Sequence, residues 1–245
     1  MEIILILLAA GVVGIFVRRL YLVEGHIKSL YIKPLNEKES RLRKVSRLIQ
    51  RGAQKISPRT LEARILYSRA VKYYEKGDME VAEQKLIQVT ALDERFSDAL
   101  HKLGLIYLKQ NQFGKAEAIF KQLIYNGEND AVYYSNLGRA LYEQKKYGEA
   151  LEAYLKAIEL DAMRPGRFIS TAEVYRQLNS KEKAGEMYKK AIEMDPSNID
   201  YLLAYTDFLM EDDKDEHAKE YLQKIFAIDP ENEIAKEMTK ELEKK

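Results

Sequence analysis

Residues 145–161 read KKYGEALEAYLKAIELD, and thirty-four residues later the chain restates them as NSKEKAGEMYKKAIEMD at 179–195. Self-similarity at such a period marks a supersecondary unit that cannot bury its apolar face alone and stacks on copies of itself. Counting outward from this pair cuts the chain without insertion into 63–96, 97–130, 131–164, 165–198 and 199–232. The spacing of apolar residues inside each unit is helical. An all-α architecture follows.

Certain positions recur in every unit. The eighth is small: Ala70, Gly104, Gly138, Ala172 and Thr206. The twentieth is alanine throughout: Ala82, Ala116, Ala150, Ala184 and Ala218. The twenty-fourth is bulky: Leu86, Phe120, Tyr154, Tyr188 and Leu222. Helices about 8–10 Å apart leave room only for small side chains where they cross, and large ones fill the space between hairpins. Position 11 (Tyr73, Tyr107, Leu141, Tyr175, Leu209) and position 4 (Leu66, Leu100, Tyr134, Phe168, Leu202) are also bulky. Pro196 and Pro230 stand at position 32, where a proline stops the second helix.

These residues resemble the tetratricopeptide repeat (TPR) family, over about 70% of the chain. The resemblance implies a right-handed solenoid of five helix-turn-helix repeats. The fifth repeat is the least typical, with Asp213 and Asp215 where a glycine turn and an aromatic are usual. Residues 233–245 place Ile234, Met238 and Leu242 at four-residue spacing and are expected to form a solvating helix that closes the array.

The family also implies a concave groove lined by the first helix of each repeat. Carried onto this sequence, its ligand-facing positions are Tyr67, Val71, Tyr74, His101, Leu105, Leu108, Ser135, Arg139 and Tyr142. They continue as Ile169, Glu173, Arg176, Leu203, Asp207 and Met210. The Lys and Asn with which chaperone-binding members hold a terminal carboxylate are replaced by Tyr67, Val71, His101 and Leu105. The expected ligand is instead a mostly apolar peptide carrying an acidic group for Arg139 or Arg176. The expected binding set is Tyr67, Val71, Tyr74, His101, Leu105, Leu108, Arg139, Tyr142, Ile169, Glu173 and Arg176.

The first 60 residues differ in character. Ile3–Val17 carries no charge, and a helix continued to Val23 spans 21 residues, enough for a thin or tilted membrane crossing. Positive charge follows the run rather than preceding it, the reverse of a cleaved signal peptide. Residues 1–23 are therefore expected to be a transmembrane anchor. Arg18, Arg19, Lys28 and Lys33 follow it, which orients the N-terminus outward and the repeats toward the cytoplasm of a cell (inner) membrane. Residues 24–60 form a basic linker whose segment 36–55 reads as an amphipathic helix, suited either to anionic lipid or to capping the first repeat. Gly52 and Pro58 mark its expected end.

Charge divides along the same line. Residues 18–64 hold 13 Lys and Arg against 4 Asp and Glu, whereas residues 65–245 hold 27 against 34. An acidic folded body argues against nucleic-acid binding. Cysteine is absent and the three histidines are scattered, so thiolate or histidine metal sites and thiol catalysis have nothing to build on. No phosphate-binding or nucleophile motif occurs, so no enzyme activity, cofactor or metal is expected. In layout the chain resembles the bacterial inner-membrane TPR adaptor of lipopolysaccharide assembly, without that protein's cysteine-bearing metal module. The expected function is a membrane-tethered adaptor, or alternatively a permanent subunit of a larger membrane complex.

Overall fold

The computed structural model describes residues 57–244, and the expected membrane anchor and the basic segment 36–55 lie outside them. Eleven helices are present among the described residues, with no strand. They are α1 (Pro58–Glu75), α2 (Met79–Leu92), α3 (Ser97–Lys109), α4 (Phe113–Tyr125), α5 (Ala131–Glu143) and α6 (Tyr147–Leu160). The chain continues with α7 (Pro165–Gln177), α8 (Lys181–Met194), α9 (Ile199–Glu211), α10 (Asp215–Ile228) and α11 (Glu233–Leu242). No helix among the described residues is long and apolar enough to cross a membrane.

The thirty-four-residue period is visible in the helix starts. Helices α3, α5, α7, α9 and α11 begin at 97, 131, 165, 199 and 233, and α2, α4, α6, α8 and α10 begin at 79, 113, 147, 181 and 215. Each odd helix packs on the even helix that follows it, and each even helix packs on the next odd one. Successive odd helices α3, α5, α7 and α9 also touch one another, whereas no comparable contact joins successive even helices. The odd helices therefore line the shorter, inner face of the array.

Packing explains the recurrent positions. All five position-20 alanines are fully buried. A Cβ on Gly104 would stand 2.7 Å from Phe120 Cζ, and one on Gly138 would stand 2.9 Å from the Tyr154 ring. In the second and third repeats, then, the aromatic at position 24 occupies the space that glycine at position 8 vacates.

The turn inside every repeat has one residue in the left-handed region, always at position 15: Gly77, Asn111, Lys145, Asn179 and Asp213. Asp213 thus takes the conformation of the usual glycine, a state that Asn and Asp tolerate better than most residues. A second rule operates between repeats. Gln110 Nε2 donates to Glu83 Oε2 at 2.9 Å, and one period later Gln144 Nε2 donates to Glu117 Oε2 at 2.8 Å.

Pro58 opens α1, at a position where its missing N–H has no helical acceptor to lose, and the segment whose end it was expected to mark lies outside the described residues. The last helix differs from expectation. In α11 the buried face is Ala235, Met238 and Leu242, and Ile234 is 55% exposed. The cause is register: α11 is the first helix of a sixth unit, capped by Asn232 as α9 is by Asn198, and that turns Ala235 inward.

The apolar core is laid down as two clusters. One runs from Ala63 to Tyr154 with Val174, the other from Ala172 to Leu242. Helix α7 contributes to both and carries two of the three buried polar side chains, Arg167 and Thr171.

Candidate functional site on the inner face

The side chains expected to line the groove fall into three groups. Tyr67, Tyr74, Leu105 and Tyr142 pack against the core with part of their surface exposed, as Ile169 does further along. Val71 and His101 are likewise half-buried. Tyr67 lies 5.0 Å from the Phe96 ring, and burial, with lesser help from Asp98 and Tyr133, pushes its hydroxyl up to about 12. It stays a neutral donor at ordinary pH. Lys102 Nζ stands 4.9 Å from the Tyr74 ring centroid, a cation–π distance.

His101 sits edge-on to Tyr133 at 5.1 Å and to Phe120 at 6.4 Å. Burial, then Lys102, lowers its pKa, so the ring is neutral near pH 7. Its buried Nε2 has no hydrogen-bond partner among the described residues.

Three of the expected positions must be corrected. Leu108 and Met210 are buried, 2% and 7% exposed, whereas Tyr74 and Tyr142 at the same repeat position keep part of their surface exposed. The two buried side chains offer a ligand no surface. Arg176 is the third: Nη2 donates to Asp207 Oδ2 at 2.8 Å, Nε donates to Glu211 Oε2 at 2.6 Å, and Glu173 stands 3.7 Å away. Glu173 also accepts the Tyr188 hydroxyl. These carboxylates satisfy the guanidinium, so it is not poised for an acidic ligand.

Arg139 differs from Arg176. It is exposed, and no carboxylate among the described residues lies within ion-pair distance of it. It borders a cleft of about 500 Å³ between α5 and α7, lined also by Ser135, Asn136, Tyr154, Arg164, Gly166, Arg167, Ser170 and Tyr201. Arg167 is 6% exposed and held in place: Nε donates to Ser135 Oγ at 3.2 Å, and Nη1 stands 2.6 Å from Asp161 Oδ2. Arg164 is 72% exposed and 3.9 Å from the same carboxylate. Asp161 is held below its ordinary range, chiefly by the Arg167 hydrogen bond, with the Met163 N–H and Arg164 assisting.

Sequence reasoning passed over Arg164 and Arg167. The signal was present at the repeat junctions, where position 34 is Phe96, Asp130, Arg164, Asn198 and Asn232. Only the third of these is basic.

A second cleft, about 520 Å³, lies near the start of α1 and α3 and is lined by Asp93, Asp98, Glu128, Arg64, Ser97 and Tyr133 among others. The inner face is thus acidic at both ends and basic in the middle. Among the described residues no group of three His, Cys, Asp or Glu side chains is arranged to hold a metal ion.

Residues 101–166 match one tetratricopeptide repeat family model, and residues 171–198 match a second. The chain carries tetratricopeptide repeats. The type IV pilus assembly protein PilF of Pseudomonas aeruginosa is 28% identical over 107 residues, which are 43% of this chain and 42% of PilF. The transcription activator GutR of Bacillus subtilis is 32% identical over 117 residues, 44% of this chain but 14% of GutR. The chain therefore spans less than half the length of either curated relative. The crystal structure of YrrB, described as a TPR protein with an unusual peptide-binding site, superposes with a TM-score of 0.63 at 18% identity. That match covers 80% of this chain and 97% of YrrB, and at such identity the likeness is one of fold.

Proposed function

We propose that this protein is a membrane-tethered cytoplasmic adaptor that captures a peptide segment of a partner protein along its inner face. The observation that carries the reading is the line of partly exposed Tyr67, Tyr74, Leu105, Tyr142 and Ile169 beside the exposed Arg139. Rigid aromatic rings and a planar guanidinium bury large area at small entropic cost, which is why they dominate binding hot spots. A pilus assembly protein among the relatives and a described peptide-binding site in YrrB accord with a role in holding other proteins. The tether rests on residues 1–23, whose apolar run is followed by Arg18 and Arg19.

Two experiments test the two halves of the proposal. The full chain carrying Tyr74→Ala, Tyr142→Ala and Arg139→Gln together should lose the partners that the unaltered chain captures from its host, while Tyr125→Ser on the outer side should keep them. Tyr125 is 90% exposed and marks a different surface. Capture that survives the triple change moves the site off the inner face. For the tether, a reporter active only in the cytoplasm and fused after Lys245 should be on, and fractionation should find the chain with membranes. An inactive reporter or a purely soluble chain overturns this half alone.

A further inference from the structure

The cleft between α5 and α7 sits where the two apolar clusters meet. A buried arginine at such a seam is unusual, because an unpaired buried charge is costly. Here Arg167 is paired by Asp161 and Ser135, so its role in the cleft is that of a fixed wall. Arg139 and Arg164 stand at the open side with their guanidinium groups exposed. The first turn of α7, at Pro165 and Gly166, borders the same space and adds the positive end of a helix. Val132 and polar groups without net charge complete the lining. The Tyr154 hydroxyl lies against Ser170, and Tyr201 Oη lies 3.6 Å from where a Cβ on Gly166 would stand.

We infer that this cleft binds the carboxylate of an Asp or Glu side chain in the partner peptide, held by Arg139 and Arg164. The inference rests on the inner-face reading above and names the chemistry of one subsite within it. Two exposed forks can take a planar carboxylate in bidentate fashion, which a lysine pair would not do. Charge sets the valence. Three arginines border the cleft, Asp161 offsets one, and Glu143 is close enough to act on the Tyr154 hydroxyl. The remaining positive excess is about one charge, which suits a monoanion better than a phosphoryl group of about −1.5 to −2. The acidic ends of the face, with Asp98 and Glu128 at one side and Asp207 and Glu211 at the other, repel a uniformly acidic peptide and leave a single acid a single place to sit.

Random peptides displayed on phage are to be panned on the full chain, and an enriched sequence resynthesised with Glu, Gln or phosphoserine at its recurrent acidic position. Expected results are one recurring Asp or Glu, weakening of about tenfold on Glu→Gln, and a similar loss when the chain carries Arg139→Gln or Arg164→Gln. Both arginines are exposed, so unchanged melting is expected of these variants. Enriched peptides that need Tyr74 and Tyr142 but show no recurrent acid, or that ignore both arginine changes, overturn the carboxylate subsite and leave the adaptor reading standing. Tighter binding of phosphoserine than of Glu overturns the monoanion assignment. Absence of any enrichment, or binding untouched by Tyr74→Ala with Tyr142→Ala, overturns the adaptor reading itself.

Discussion

Arg176 of α7 donates from Nε to Glu211 Oε2 of α9 at 2.6 Å, tying the fourth repeat to the fifth. The same guanidinium reaches Asp207, with Glu173 beside it, so the positive charge that looked available to a ligand is used within the array. Its side chain is 19% exposed, while Asp207 and Glu211 are about half exposed.

Arg176→Met should therefore act on stability. It leaves three carboxylates facing one another, and a loss of about 1–2 kcal/mol is expected, between the worth of a surface pair and that of a buried one. Urea unfolding of the full chain checks this, and peptide affinity should change little. A variant with wild-type stability and lost binding would return Arg176 to the ligand site.

Gly138→Ala should destabilise despite the better helix propensity of alanine. The new Cβ would stand 2.9 Å from the ring of Tyr154, which is 6% exposed, and overpacking of this kind costs about 1–3 kcal/mol. Gly148→Ala is the matched control: nothing lies within 4 Å of its Cβ position, so it should be neutral or stabilising by up to about 1 kcal/mol. The two denaturation midpoints should move in opposite directions, or the second not at all.

Lys145→Gly should stabilise the third repeat. Lys145 holds φ at 60°, where a side chain crowds the backbone, and glycine relieves that strain. Part of the gain is offset by glycine's greater freedom in the unfolded chain, leaving about 0.5–1 kcal/mol. A raised melting temperature is the expected readout. Lys145→Pro, which cannot adopt positive φ, should lower it.

Glu117 predicts a specific acid sensitivity. Burial is the largest single influence on its carboxyl and works to raise the pKa. Hydrogen bonds from Lys121, Lys146 and Gln144 prevail and bring it from 4.5 to about 2. Because the folded value is the lower one, the group contributes stability that is fully present above pH 4.5 and is lost as pH falls toward 2. Glu117→Gln should flatten the dependence of the urea midpoint on pH across that window. An unchanged slope would mean that the cluster formed with Lys121 and Lys146 is not maintained in solution.

The period and the position-20 alanines were legible in the sequence because they depend on residues close together in the chain. Helical spacing places Tyr67, Val71 and Tyr74 on one side of one helix whatever surrounds them. The assignment of the odd helices to a binding face came from resemblance, and their mutual contacts along the solenoid place these helices on the inner side of the array. What each polar group faces was decided only by tertiary structure. Arg176 and Glu211 are 35 residues apart, Arg167 and Ser135 are 32 apart, and Gln144 and Glu117 are 27 apart. These separations are near one repeat, so every such partner is set by how one hairpin stacks on the next. The same holds for Leu108, whose burial depends on the neighbouring helices, and for Ile234, which yields the inward position to Ala235. A repeat's own residues determine that it forms a hairpin. Its neighbours determine which of its side chains are left for a partner, since packing between hairpins fixes the register and the register allots the charges.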